Sequence, residues 1–255
     1  MVVGCIVQAR MGSSRLPGKT MKKLDSEKPL LYYVIDQLNH SKLIEQLVVA
    51  TTTLDEDNKI EEFLKKTKTP CFRGNPTDVL DRYFKCAKEF SFSIIVRITA
   101  DNPLIDPTIV DQVITEFNND SYDYVTNHTP RTFPQGTEVE VFSFNALENA
   151  WKNARKLSER EHVTPYFYNN PSIFKLGKVM NTQNLSHLRW TVDHMNDLNL
   201  IKTIITKINK RPILLNDILE LLQKESELFK INENHIIDEG YNLSLRMDKS
   251  SSKTI

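Results

Sequence analysis

Short apolar runs rich in β-branched residues recur along the N-terminal part of the chain, at VVGCIVQ (2–8), QLVVATT (46–52), CFRG (71–74) and SIIVRIT (93–99). They do not alternate with polar residues, which suits strands buried on both faces. Between them, LLYYVIDQLNHS (30–41), NKIEEFLKKTK (58–68), DVLDRYFKCAKEF (78–90) and PTIVDQVITEFNND (107–120) carry apolar residues at helical spacing. Strand and helix alternating in this order predict an α/β fold, a mainly parallel sheet sandwiched by helices. After Asp120 the pattern changes. SYDYVTN and GTEVEVFSF predict strands of a mixed region, joined by the Pro- and Thr-rich loop TPRTFPQGT. A principal domain is expected over 1–210, then a helical appendage and polar tail over 211–255, with no regular structure from about Ser244 onward.

Composition narrows what such a fold can do. With 255 residues, 40% hydrophobic and 26% charged, the chain lies in the ordinary globular range. Lys plus Arg and Asp plus Glu each total 33, so no basic excess favours nucleic acid, and any anion site must be local. Cys5, Cys71 and Cys86 lack metal-ligand spacing, and an odd count without a secretory leader reads as reduced thiols. No apolar run approaches the roughly 18 residues of a membrane span. A cytoplasmic protein without membrane insertion is expected.

Ligands of an open α/β sheet bind beyond the carboxyl ends of the strands, which here lie at Ala9–Lys19, Thr51–Thr53, Arg73–Asp78 and Thr99–Asn102. The first of these segments carries the densest chemistry. Arg10, Arg15 and Lys19 are interleaved with Gly12, Ser13, Ser14 and Gly18. Free N–H groups, hydroxyls and cations together are what a triphosphate requires. A Walker loop is excluded, because it needs Gly where Ser13 stands. The competing reading is a solvated basic loop.

QARMGSSRLPGK resembles the signature of the cytidylyltransferase family that includes acylneuraminate and 3-deoxy-manno-octulosonate cytidylyltransferases, and most closely the branch named for spore-coat polysaccharide biosynthesis protein F. The likeness continues in order through VVATTTLDEDNKI, FRGNPTDVLDRY, VRITADNPLIDP, GTEVEVFSFNALENAW, SEREHVTPY and LSHLRWTVDHMNDL, from position 2 to about 205. The resemblance implies a nucleotide-diphospho-sugar transferase fold over 1–210, with about 121–180 as the acceptor and dimerisation region. It implies transfer of CMP from CTP to a sugar or sugar acid with Mg²⁺ (Mn²⁺ being possible), and a homodimer. Arg10, Arg15 and Lys19 match positions that hold the triphosphate, and Ala9–Met11 would approach the pyrimidine. Asp101 matches the family's metal-binding Asp and Asp193 a second carboxylate that meets it. Gln8 stands where the sialic-acid enzymes have Pro, so base selectivity rests on less than phosphate binding.

Two carboxylates opposite a triphosphate make a hard-cation site. Asp101 also suits an Asx turn or a cap before Pro103. The resemblance thus makes Arg15, Lys19, Asp101 and Asp193 the expected catalytic set, with Asp101 and Asp193 as metal ligands. His162 and His194 could be general bases, but a lone His is more often a packing or surface residue, so both stay out of the catalytic set. The nucleotide set adds Ala9, Arg10, Met11, Gly12, Ser13, Thr51, Thr52, Arg73, Asp78, Arg82 and Thr99. Thr51 and Thr52 also suit a strand, and Asp78 a helix cap. On the acceptor side, Glu138 and Glu140 share one face of the predicted strand TEVEVF, as sugar ligands or as the solvated face of an edge strand. Ser158, Arg160, His162 and Arg189 complete that set.

Two other classes of function stay open: a glycosyltransferase on the same architecture, weakened by the absence of a D-x-D pair in TADNP, and a non-catalytic nucleotide-binding protein of polysaccharide assembly.

Overall fold

The computed structural model describes residues 1–232 and 239–251. The four N-terminal apolar runs form β1 (Val3–Gln8), β2 (Gln46–Thr52), β3 (Cys71–Gly74) and β4 (Ile94–Thr99). All are parallel, β1 lying between β2 and β4, and β3 outside β2. The intervening helical patterns form α1 (Leu30–Leu38), α2 (Asn58–Thr67), α3 (Val79–Glu89) and α4 (Pro107–Asn119). Beyond them come β5 (Tyr124–Thr126), β6 (Glu140–Ser143) and β7 (Leu176–Lys178), giving a seven-stranded mixed sheet of order β3-β2-β1-β4-β6-β5-β7. β6 runs antiparallel to β4 and β5, and β7 runs parallel to β5. The sequence pattern did not predict β7, whose three residues are too few to carry a period.

Side chains alternate across the sheet, so each strand feeds two cores. Cys5, Val7, Val96 and Ile98 face one core with α1, α2 and α4. Ile6, Ile95 and Phe142 face the other with α3 and α5 (Phe144–Asn153). The second layer continues through α6 (Leu157–His162) and α7 (Pro165–Tyr168). On the first side lie α8 (Met195–Lys207) and α9 (Leu215–Lys224).

The segment after 210 is tied into the first core. The buried Gln37 amide donates to Ile105 and Ile213 carbonyls at 2.9 and 2.6 Å, and its oxygen accepts from Ile213 N–H. Asp106 caps α4 through Thr108 N–H and also accepts Leu215 N–H, both at 2.7 Å. The last element, α10 (Glu239–Ser251), is a helix where an unstructured tail from Ser244 was expected. Its helix is stabilised by docking on α6, a contact that a local reading of a polar segment does not contain. Among the described residues, no helix is long and apolar enough to cross a membrane.

Candidate active site

The chain leaves β1 toward β2 on one side while β4 joins on the other, so the carboxyl ends of β1 and β4 open a crevice at the switch point. The loop 9–19 lines it. Ala9 N–H continues the sheet to Ala50, and Met11 carbonyl accepts Ser13 and Gly18 N–H groups, which folds the loop back on itself. Gly18 has φ +67°, a left-handed conformation that glycine adopts without steric cost, and it starts the short 3₁₀ turn Lys19–Met21. Asp57, fully buried, anchors the loop from below. One carboxylate oxygen accepts Met11 N–H at 2.7 Å while the other takes the N–H and hydroxyl of Thr52.

Lys19 points from this loop into the crevice. Its ammonium donates to Asp101 Oδ2, Asp193 Oδ1 and the Val192 carbonyl, each at 2.8 Å. Burial works against the charged ammonium, but the two carboxylates outweigh it and raise the Lys19 pKa. Asp101 and Asp193 meet because their backbones are stapled together: Val192 N–H and the Thr191 hydroxyl both donate to the Asp101 carbonyl. Asp193 also accepts Arg15 at 2.7 Å and Arg189 at 3.0 Å. Burial pushes its carboxyl up, yet Lys19, Arg15 and Arg189 hold it well below the usual carboxylate range. Thr99 donates its hydroxyl to Asp101 Oδ1 at 2.5 Å. Asp197, also fully buried, accepts Arg189, Asn232 and the N–H groups of Asp193 and His194, and so orients the whole turn.

Two cavities join at this point. One, of about 650 Å³, is lined by the loop cations Arg10, Arg15 and Lys19 together with Gly12 and Ser13. The other, of about 440 Å³, runs toward β6 and is lined by Glu138, Glu140, His128 and Arg131. Arg15, Thr99, Asp101 and His162 belong to both. Arg97 and Glu140 are register partners across β4 and β6 and form a buried ion pair there, with Tyr124 hydroxyl donating to Glu140 at 2.7 Å. Burial raises the Glu140 pKa, but Arg97 and His128 outweigh it and depress it far below the usual range.

The predicted site residues divide between this crevice and its supports. Arg10, Gly12, Ser13, Arg15, Lys19, Thr99, Asp101, Glu138, Glu140, His162 and Asp193 line the cavities. Ala9, Met11, Thr51, Thr52, Arg73, Asp78, Arg82, Ser158, Arg160 and Arg189 line neither. Arg73 ties β3 to α2 through Glu61 and Asn58, and fully buried Arg82 donates to the Asn75 carbonyl. Asp78 caps α3 and pairs with Arg160. Glu138 precedes β6 instead of lying on it, and β6 is an interior strand, not a solvated edge. Asp101 lines the crevice, where it accepts Lys19 and Thr99, and caps no helix, since α4 is capped by Asp106. Sequence reasoning missed Asp57, Asp197 and Arg97. Asp197 had a visible signal, an acid three residues into a helix.

Residues 4–239 match the family model described as Cytidylyltransferase. The chain belongs to the cytidylyltransferase family. Spore coat polysaccharide biosynthesis protein SpsF of Bacillus subtilis is 32% identical over 87% of this chain and 94% of its own length. The solved structure of a cytidylyltransferase from Leptospira borgpetersenii superposes with TM-score 0.87 at 35% identity, covering 93% of this chain and 99% of that one. A CMP:2-keto-3-deoxy-manno-octonic acid synthetase complexed with CTP superposes with TM-score 0.64 at 16% identity, over 81% and 99% of the two chains, and shares the fold. The seven-stranded sheet is thus the nucleotide-diphospho-sugar transferase fold of this cytidylyltransferase family.

Proposed function

We propose that this chain transfers CMP from CTP to a hydroxyl of a sugar or sugar acid, releasing pyrophosphate, for a surface polysaccharide. One observation carries the reading: the Lys19 ammonium sits between Asp101 and Asp193 where the two cavities meet. The larger cavity, with its loop cations, takes the triphosphate, and the smaller takes the acceptor. The acceptor oxygen attacks the α-phosphorus, the bond to the β-phosphate breaks, and pyrophosphate leaves with the charge that Arg10, Arg15 and Lys19 offset. The acceptor's proton passes to solvent, and no protein nucleophile is required.

A cation already bridges the two carboxylates, so the oxygen donors Asp101 and Asp193 fit a hard divalent ion such as Mg²⁺ or Mn²⁺. Such an ion, held by those two side chains, would supply further charge neutralisation at the phosphates. With the carboxylates so occupied, Lys19 and Arg15 would be available to bind phosphate oxygens. The choice of CTP is supported by the family match and by the structural neighbour complexed with CTP. The polysaccharide context is supported by the name of the Bacillus relative.

We place the reaction in the cytoplasm, in keeping with the free thiols of Cys5, Cys71 and Cys86. The active unit is a homodimer built through the region 121–180, where the edge strand β7 is flanked by exposed Ile173 and Met180.

The test is pyrophosphate release from CTP, Mg²⁺ and a panel of sugars and sugar acids. We expect release with at least one acceptor and its loss in Asp193→Ala at unchanged circular dichroism. Firm binding of UDP-sugars without CTP binding would overturn the assignment.

A further inference from the structure

α10 begins where the family match ends, at residue 239, yet it walls both cavities. Helical spacing gives it two faces. Tyr241, Ser244 and Asp248 form the face that docks on α6. Asp248 accepts Ser158 N–H at 3.2 Å, and the Ser244 hydroxyl donates to Glu161 at 2.7 Å while standing 3.0 Å from His162 Nε2. The Tyr241 ring meets the His162 ring edge-on at 5.2 Å. The other face, with Glu239, Leu243, Arg246 and Met247, lines the larger cavity. Leu243 and Met247 are exposed apolar side chains there. Arg246 is an exposed cation whose side chain has no partner among the described residues.

At the start of the helix, Glu239 accepts Arg15 at 2.8 Å and lies 3.5 Å from His194. Arg15 is therefore held by two anions, Asp193 inside the crevice and Glu239 at its mouth. A triphosphate entering this cavity would meet the Glu239 carboxylate as a like charge. The pair is half-exposed, the kind that water and salt weaken, so it exchanges readily for a stronger anion.

We propose that α10 is a second wall of the nucleotide site, in which Arg246 is a further phosphate ligand and Glu239 is an internal anion that holds Arg15 until a triphosphate displaces it. This rests on the triphosphate reading above, though not on the choice of base. The helix thereby adds a cation to the phosphates, and Leu243 and Met247 add apolar cover beside them. The fixed contacts to α6 keep the helix in place while Glu239 changes partner.

The experiment is calorimetric titration of the full chain with CTP and, separately, with inorganic tripolyphosphate. Arg246→Gln should weaken both ligands about five- to tenfold, whereas Lys249→Gln, an equal charge change on an exposed α10 residue outside both cavities, should leave binding unchanged. Glu239→Gln should tighten both by about threefold or more. Arg246→Gln indistinguishable from Lys249→Gln, or Glu239→Gln with unchanged or weaker binding, overturns the proposal. If tripolyphosphate binds and CTP does not, the CTP assignment fails and α10 is judged on tripolyphosphate alone. Binding of neither ligand sinks both.

Discussion

Arg97 and Glu140 show how a single pair can set the charge of a cavity. They face each other across β4 and β6 on the side of the sheet that forms the floor of the smaller cavity. Removing one partner of such a buried pair leaves the other uncompensated, at a cost of about 3–5 kcal/mol. Arg97→Met should therefore lower stability at neutral pH by about that amount. In the native protein Glu140 is depressed, so its contribution is fully present above the unfolded carboxylate value of about 4.3 and is lost as pH falls through the folded one. Without Arg97 the strongest of the influences that depress Glu140 is gone, so the variant has less of this acid-sensitive contribution to lose. The gap in melting temperature between variant and native protein should shrink as pH falls below about 4.3, and thermal melts from neutral pH into that acid range decide it. A gap that stays constant would show that Arg97 matters for packing and not for charge. Neither residue advertises this role in the sequence. Arg97 sits in an apolar run, and its partner is named only by strand register.

At the scale of elements, the site depends on how the segment 188–193 is pinned. Gln135 and Arg189 form an isolated bridge, Trp190 N–H reaches the Gln135 carbonyl at 2.7 Å, and Gly136 turns the chain between them with φ +106°. A Cβ at Gly136 would lie 2.6 Å from Thr191 N, inside contact distance of backbone that cannot yield cheaply. Gly136→Ala should cost about 1–3 kcal/mol through strain and displace the stretch that carries Asp193. Pyrophosphate release should fall further than stability alone explains. Denaturant unfolding and turnover measured side by side give the comparison, and native turnover in a folded Gly136→Ala protein would refute it. The elements themselves were largely readable. The patterns at 46–52 and 71–74 coincide with β2 and β3, and the four helical patterns became α1 to α4 within a few residues. The misses fall after Asp120, at helices α5 to α8, at β7 and at the end of α10; β7 and α10 are short or polar elements that exist because something distant receives them.

The whole molecule raises the question of its active unit. The proposed dimer uses an edge strand, β7, whose outer backbone groups lack a strand partner within the described sheet. Light scattering should give twice the mass of one chain, and Ile173→Glu combined with Met180→Glu should shift it toward the monomer. A native protein that scatters as a monomer at micromolar concentration would rule the dimer out.

The sequence by itself determined the α/β class and the cationic loop after the first strand, because each depends on local periodicity or on a compact run of residue types, whereas Asp101 and Asp193 were singled out as a pair by the family resemblance. Only the tertiary structure decided that Lys19 bridges Asp101 and Asp193, that Asp57 and Asp197 hold the loop and the turn, and that Arg73, Asp78 and Arg160 support the site from outside its cavities. It also turned a tail without evident chemistry into a wall carrying Glu239 and Arg246. The reason is physical. Periodicity reports which face of an element is apolar, whereas the partner of a buried charge is fixed by which distant segments the sheet brings together.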